Sequence, residues 1–185
     1  MNRSRNYFNS TRQKGFSSIE LGLTLLVVSI LVVGAITLFT KNLRQTSIQD
    51  NITQLQSIAG TAKSTYGSQN QYSKVTTAVA VQGHVIPDSL RDGTASTASN
   101  KFGAPISVGP FGVTNDMLQL TWGNVPSSQC LEIVTGVSAM MRKIQVNNND
   151  VKPLDGTLDV AGLPAACEAN GQDGNVDLVF FIGRS

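Results

Sequence analysis

A single carboxylate stands at the edge of the most apolar part of the sequence. Glu20 directly precedes twenty residues without a charge, 21–40, and follows Phe16 by four positions. Residues four apart share one face of a helix, so an amine at residue 16 and the Glu20 carboxylate could pair. A carboxylate at a membrane edge is costly and is usually functional. The alternative is a side chain that only reaches toward the polar headgroups.

The sequence contains few other residues suited to catalysis. His84 is the one histidine, which disfavours a His-based zinc cluster and leaves a Ser–His–Asp triad a single candidate base. It lies in a predicted loop without a nucleophile motif, which favours a surface or capping role. We therefore predict no catalytic residue, no cofactor and no enzyme activity.

One short segment has the composition of a cation site. Residues 173–177, Asp-Gly-Asn-Val-Asp, resemble the opening of a calcium loop. Such a loop needs a glycine at its sixth position and an acid at its twelfth, but Leu178 and Arg184 stand there. The alternative is an Asp-Gly turn that leads into the last strand. We predict the turn, and no metal site.

The element that carries Glu20 is predicted to be a transmembrane helix. Twenty helical residues are about 30 Å long, which matches the hydrocarbon layer of a bilayer. The first fifteen residues hold four bases and no acid, which predicts a cytoplasmic N-terminus and an exported C-terminus. A cleaved signal peptide has a shorter apolar core and a small-residue cleavage site, and no clear one precedes Lys41. A simple signal anchor would leave Glu20 unexplained.

The two cysteines, Cys130 and Cys167, follow the membrane segment. The predicted topology places them in an oxidising compartment, which favours a disulfide. Two buried free thiols are the alternative. A disulfide would close a loop long enough to stabilise the fold by roughly 4 kcal/mol in the chain-entropy model.

The junction before the apolar run resembles the N-terminus of type IV prepilins. A basic residue, a glycine, a phenylalanine and a glutamate carry the resemblance: Lys14, Gly15, Phe16 and Glu20. The resemblance implies that a prepilin peptidase cleaves after Gly15 and methylates the new amino group of Phe16. It also implies that Glu20 is needed for assembly.

Other features resemble the type IVb group of this family. The fifteen-residue leader is similar in length to leaders of that group, whose pilins also carry a C-terminal disulfide. Residues 84–90 and 100–103 look like segments of the major pilins of thin pili. The resemblance implies a homopolymeric surface filament, built by inner-membrane assembly machinery, that serves adhesion, aggregation, motility or conjugative contact with a host or recipient cell.

Three parts are predicted along the chain: a leader (1–15), a transmembrane and assembly helix (16–40) and a globular head (41–185). The helix is predicted to continue to about residue 66, because no proline interrupts it and an apolar stripe recurs at helical spacing. The stripe consists of Leu43, Ile48, Ile52, Leu55, Ala59, Ala62 and Tyr66.

The head is predicted to be α+β, the type IV pilin fold, with the long helix packed on a C-terminal antiparallel sheet. We predict a loop region at 68–101 that contains a short element, Val75–Val81. A helix is predicted from Pro126 to about Lys143, with a serine as its N-cap and apolar residues on one face as far as Met141. A short irregular or helical stretch is predicted at 162–170. Strands are predicted at 105–108, 117–122, 144–146 and 176–182. The second of them alternates, with Leu118, Leu120 and Trp122 on one face, and residues 147–150 are predicted to end the third.

Composition and charge limit the remaining function classes. The net charge is +2 and only 14% of residues are charged, so no nucleic-acid partner is indicated. A chain of 185 residues is too short for a multi-domain enzyme. We predict a pilus subunit that resides in the inner membrane before assembly and in an extracellular pilus afterwards. The alternatives are a pseudopilin or minor pilin of a type II secretion system, which shares the junction, and a membrane-anchored periplasmic enzyme.

Overall fold

The computed structural model describes four stretches of the chain: residues 17–67, 72–93, 96–112 and 114–184. The chain divides into two compact units between Leu43 and Arg44. Helix α1 (Ser18–Ala62) contributes to both units and ends in one π-helical turn, Lys63–Gly67. The predicted helix of about fifty residues is confirmed.

The first unit contains the apolar part of α1. Between residues 21 and 40 its hydroxyl groups are satisfied inside the helix, since each donates to a carbonyl three or four residues earlier. Thr24 Oγ1 lies 2.7 Å from the Glu20 carbonyl, and Ser29 Oγ lies 2.7 Å from the Leu26 carbonyl. Because these groups need no outside partner, the outer surface of the helix remains apolar.

The second unit is built around a five-stranded antiparallel sheet with the order β1-β2-β5-β3-β4. The last strand of the chain is central, which explains its nearly continuous apolar sequence: Phe180 and Phe181 point to opposite faces and both are buried. The strands are β1 (Ser107–Phe111), β2 (Met117–Pro126), β3 (Lys143–Val146), β4 (Asn149–Lys152) and β5 (Asn175–Gly183).

In the described part of the head, three short α-helices accompany the sheet: α2 (Thr77–Gln82), α3 (Ser127–Val137) and α4 (Leu163–Cys167). Two 3-10 helices lie at Tyr72–Lys74 and Asp88–Leu90. The main core includes the buried face of α1, the inner face of α3 and alternate residues of β2 and β5. The predicted alternation in β2 is confirmed. Its fully buried residues here are Leu118, Leu120 and Trp122.

Helix α3 is shorter than predicted: it ends at Val137, whereas the prediction extended it to about Lys143. Lysine side chains satisfy the carbonyls that follow. Lys152 Nζ donates to the carbonyls of Ser138 and Met141, both at 2.6 Å, and Lys63 Nζ donates to that of Met140 at 2.9 Å. These tertiary contacts replace the hydrogen bonds of a longer helix.

The predicted serine N-cap of α3 is also wrong. Pro126 occupies the N-cap position and no side chain caps the helix there. Ser127 Oγ instead donates to the Gly174 carbonyl at 2.9 Å. The hydroxyl therefore ties α3 to the turn before β5.

Two strands differ from their predicted bounds because of local backbone geometry. Strand β1 begins two residues later than predicted and includes Pro110, which an edge strand tolerates. Strand β2 continues to Pro126 through a bulge between Trp122 and Val125. Within the bulge Asn124 has φ 59°, and its N–H donates to Asp177 Oδ1 at 2.9 Å. This bond holds the extended strand against β5.

Strand β4 was not predicted, because residues 147–150 were interpreted as the end of a strand. Asn147 and Asn148 have φ 49° and 67°, and they form a two-residue connection between β3 and β4. Positive φ at both central residues is typical of a type I′ hairpin turn, for which asparagine is well suited.

Candidate assembly site

The predicted cleavage and methylation residues, Gly15 and Phe16, lie outside the described residues. Glu20 is described, and it occupies the first turn of α1, where the helix dipole favours an anion. Its side chain is exposed, and no described residue forms an ion pair with it. Among the described residues, the carboxylate is therefore without a charged partner.

The surface next to Glu20 is strongly apolar. Fifteen large apolar side chains between Ile19 and Leu43 are exposed, with exposed fractions of 48% to 80%. Within the described chain, α1 and its π-helical turn form the one helix that is long and apolar enough to cross a membrane. Surface of this kind requires lipid or protein to cover it.

Exposed polar contacts join the second half of α1 to the head. Arg44 donates to the Ser128 carbonyl and lies 3.5 Å from Glu132 Oε1. Lys101 pairs with Asp50. Since the ion pairs are partly solvated, each contributes at most about 1 kcal/mol.

A buried polar contact lies beneath them. Asn51 is fully buried: its Oδ1 accepts a hydrogen bond from Trp122 Nε1 at 3.1 Å, and its Nδ2 donates to the Ser47 carbonyl at 2.8 Å. The predicted stripe included Ile52 and Leu43 instead, but Ile52 is half-buried and Leu43 is exposed. The available signal was spacing, since Asn51 lies three residues after Ile48 and four before Leu55.

The predicted disulfide is present and joins α3 to α4. Cys130 and Cys167 are bonded, with their Cα atoms 5.7 Å apart, and both side chains are buried. The bond closes a loop with a sequence separation of 37, which includes the β3–β4 hairpin. A loop of that size corresponds to roughly 4 kcal/mol of stabilisation in the chain-entropy model.

His84 lies at the surface, in the turn after α2. Its φ is 55°, and its Nδ1 is 3.0 Å from an Arg91 guanidinium nitrogen and 3.4 Å from Asp88 Oδ1. His84, Asp88 and Arg91 therefore contact one another within a single segment of the chain, 84–91. No described residue provides a nucleophile beside the ring.

The segment considered for calcium serves the sheet. Asp177 Oδ1 accepts the Asn124 N–H, and its own N–H donates to Asn147 Oδ1 at 2.9 Å. Among residues that the structure describes, no group of three or more His, Cys, Asp or Glu side chains could hold a metal ion. Asp177, in the second half of the segment, therefore links β5 to β2 and to the turn after β3 by hydrogen bonds.

An open groove of about 680 Å³ runs between α1 and α3. Glu132 is the single ionisable residue among those that line it, and it already faces Arg44. The remaining lining residues are Gln45, Thr46, Ile48, Gln49, Ile52, Leu131, Thr135 and Gly136. The groove brings together no acid–base or nucleophile pair of the kind that the enzyme alternative requires.

Two sequence comparisons identify related proteins. A family model described as PilS N terminal matches residues 44–182. A relative from Escherichia coli O111:H-, the major structural subunit of bundle-forming pilus, is 23% identical over 163 residues. That alignment covers 85% of this chain and 84% of the relative.

Solved structures of similar fold cover about three quarters of the chain. The type IV b pilin from Salmonella typhi has a TM-score of 0.51 and 25% identity, with 74% of this chain and 97% of that chain covered. TcpA, a type IV pilin from Vibrio cholerae El Tor biotype, has a TM-score of 0.50 and 16% identity, with 74% and 98% covered. At that identity, the second likeness shows the fold alone.

Proposed function

The chain belongs to the PilS family of pilins and is a structural subunit of a type IV pilus, and we propose how it is processed and assembled. Leader residues 1–15 are removed after Gly15, the amino group of Phe16 is methylated, and α1 then packs against other copies of the chain. The observation that carries the assembly step is the exposed apolar surface of residues 18–43 beside Glu20, which has no ion-pair partner in the described part of the chain.

The proposed cleavage depends on the residue types at the junction. Gly15 lacks a Cβ, so a prepilin peptidase can approach the backbone closely. Removal of the basic leader leaves a free amine at Phe16, at the edge of the membrane segment. The mature chain then consists of an assembly helix, 16–40, and a head, 41–185.

The proposed role of Glu20 is to receive the amine of a neighbouring copy. In a membrane or a packed helical core the dielectric is low, so an amine and a carboxylate attract strongly and each is costly when unpaired. A buried pair between subunits also fixes the register of one helix against the next. The exposed position of Glu20, without a partner among the described residues, supports this role.

The proposed pathway starts in the inner membrane. The subunit spans it once, with the N-terminus in the cytoplasm and the head outside, and the pilus assembly machinery extracts it into an extracellular homopolymer. The apolar helix and the relationship to pilins support membrane anchoring followed by incorporation into the filament. We propose the surface of a host or recipient cell as the partner of the filament, and a structural rather than enzymatic role for the chain.

The variant Glu20→Gln tests the assembly step, because it keeps the shape of the side chain and removes its charge. The variant subunit should be processed and should accumulate in the membrane, but filaments should be reduced by at least about a hundredfold. The reason is that an incoming amine would remain unpaired, at a cost of about 3–5 kcal/mol. The measurements are the number of filaments by electron microscopy and the amount of processed subunit in membranes.

Two comparisons make the test specific. Co-expression with unmutated subunit should leave Glu20→Gln chains poorly incorporated, because each needs its own carboxylate to receive a neighbour. Ser29→Ala, on the same exposed surface, should assemble normally. Normal filaments of Glu20→Gln would show that the carboxylate is not needed in assembly.

A further inference from the structure

The rotation of α1 on the sheet differs from the rotation that its apolar residues favour. The apolar stripe includes Ile52 and excludes Asn51, but the structure leaves Ile52 half-buried in the groove wall and buries Asn51 completely. Asn51, Asn100 and Ser127 are the buried polar residues of the described chain, and Asn51 is the one that belongs to α1. A polar side chain therefore occupies a core position although an isoleucine is next to it.

Two rotations of α1 about its own axis would bury nearly the same apolar area: the observed one, and one that buries Ile52 in place of Ile58. A rotation of roughly 40° about the helix axis would bury Ile52 and move Asn51 and Ile58 toward the margin, given about 100° between successive residues. Leu55, Ala59 and Ala62 would remain buried in both arrangements. Since one isoleucine would replace another, the buried apolar area would change little.

The other contacts between α1 and the head can adjust to such a rotation. Lys101–Asp50 and Arg44–Glu132 are partly solvated pairs of flexible side chains. The Gln56 amide reaches the Gly136 carbonyl at 3.2 Å through an equally flexible chain. Only the indole N–H of Trp122 is fixed in a buried position and needs an acceptor at one place on α1.

We propose that the hydrogen bond between Asn51 and Trp122 is a rotational lock that positions α1 on the head of the subunit. The bond satisfies both buried polar groups in one rotation and in no other, as buried polar residues do when they fix the register of packed helices. The consequence for the filament rests on the assembly step proposed above. A helical polymer needs identical subunits, and α1 is one continuous helix, so its rotation must be the same in every copy.

Two variants separate the effect of losing the hydrogen bond from the effect of the smaller aromatic ring. Trp122→Phe leaves the Asn51 amide oxygen buried without a donor, so α1 should rotate and expose it. The double variant Trp122→Phe/Asn51→Leu has the same smaller ring but an apolar residue 51, so α1 should keep the native rotation. Both variants lose the same ring volume, and they differ only at residue 51.

The measurement is the distance between two nitroxide labels on the full-length, oxidised subunit in detergent micelles. The labels are placed at exposed Ser57 of α1 and at exposed Ala139 after α3, on non-natural residues that leave the disulfide intact. Unmutated subunit and the double variant should share one distance, and Trp122→Phe should differ from it by about 4 Å, from a 40° rotation at the helix surface. Thr53→Leu, an exposed change on α1, should keep the native distance.

Three results would overturn the lock. An unchanged distance in Trp122→Phe would show that apolar packing fixes the rotation. Equal shifts in the single and double variants would assign the movement to the lost ring volume. If Trp122→Phe does not fold while the double variant does, then α1 has no second rotation to adopt.

Filament counts test the consequence separately. Trp122→Phe should lose filaments and the double variant should retain them, while both keep Glu20 and the processing junction. If the distance shifts but Trp122→Phe filaments are normal, the link from rotation to assembly is wrong. If Glu20→Gln also assembles normally, the proposed assembly step fails independently of the lock.

Discussion

At the scale of single residues, the disulfide holds α4, a helix that is too short to be stable by itself. Helix α4 has five residues, too few for a stable isolated helix, and Cys167 is its last residue. Cys130 belongs to the buried face of α3. The bond therefore anchors the polypeptide between β4 and β5 to the core of the head.

Substitution of one cysteine tests this anchoring. Cys167→Ser should lower the free energy of unfolding of the head by about 2–5 kcal/mol, because the unfolded chain regains the freedom of an open loop. Urea unfolding can be followed by the fluorescence of Trp122, the single and fully buried tryptophan. Unmutated protein under reducing conditions should show a similar loss. Two alkylatable thiols in the native unmutated protein would contradict the account.

Asp150 gives the head a pH-dependent contribution to stability. Lys143 Nζ lies 2.9 Å from its Oδ2 and Gln145 Nε2 lies 2.7 Å from its Oδ1. The hydrogen bond from Lys143 is the largest cause that lowers the pKa of Asp150 below its ordinary value. A lowered folded-state pKa means that the stabilisation is present above the unfolded pKa, about 3.9, and is lost as the pH falls through the folded pKa.

The variant Asp150→Asn should therefore be less stable at pH 7 by at most about 1 kcal/mol, because the carboxylate is partly solvated. The difference from unmutated protein should shrink near the lower pKa. Thermal unfolding at neutral and acidic pH measures both. Asp173→Asn serves as the control, since no described residue forms an ion pair with Asp173. A pH-independent difference for Asp150→Asn would argue against the pairing with Lys143.

Residue types alone predicted some of these sites and could not predict others. The cysteine pair followed from the number of cysteines and the inferred export of the head. The role of Asn51 could not be predicted, because helical periodicity assigns apolar residues to the core and does not show that Trp122 needs an acceptor. The junction at Gly15 and Phe16 was recognised by residue type and stays a prediction.

At the scale of elements, the β3–β4 hairpin depends on two asparagines with positive φ. Asn148→Val should destabilise the head by about 1–2 kcal/mol, since a residue with a branched Cβ is strained in the left-handed region. Asn148→Gly should be neutral or slightly stabilising. The free energy of unfolding of the full chain measures both. Equal stability of the valine and glycine variants would contradict the turn geometry.

The elements that the sequence predicted well are those fixed by local pattern. The long helix and β5 have continuous apolar or periodic sequences, and both lie close to their predicted bounds. The end of α3 depends on Lys152 and Lys63, which are distant from it in sequence. Local pattern could not show it, because apolar residues continue at helical spacing as far as Met141. Strand β4 was missed because the two asparagines of a type I′ turn were interpreted as the end of a strand.

At the scale of the whole molecule, the two units need different surroundings. The head buries its own apolar residues in a closed core, with a disulfide and a paired sheet. Residues 18–43 bury none of their large apolar side chains in the part of the chain that the structure describes. A subunit with these two parts is complete only in a membrane or among other copies, which agrees with its family.

Intact-mass analysis of filaments purified from cells tests the account most directly, because one spectrum reports the subunit, its processing and its disulfide. We predict that the dominant species contains residues 16–185, with one methyl group on the amino group of Phe16 and with Cys130 bonded to Cys167. Filaments in which residues 1–15 are retained would contradict the proposed cleavage after Gly15. Filaments that lack this chain altogether would contradict its role as the repeating subunit.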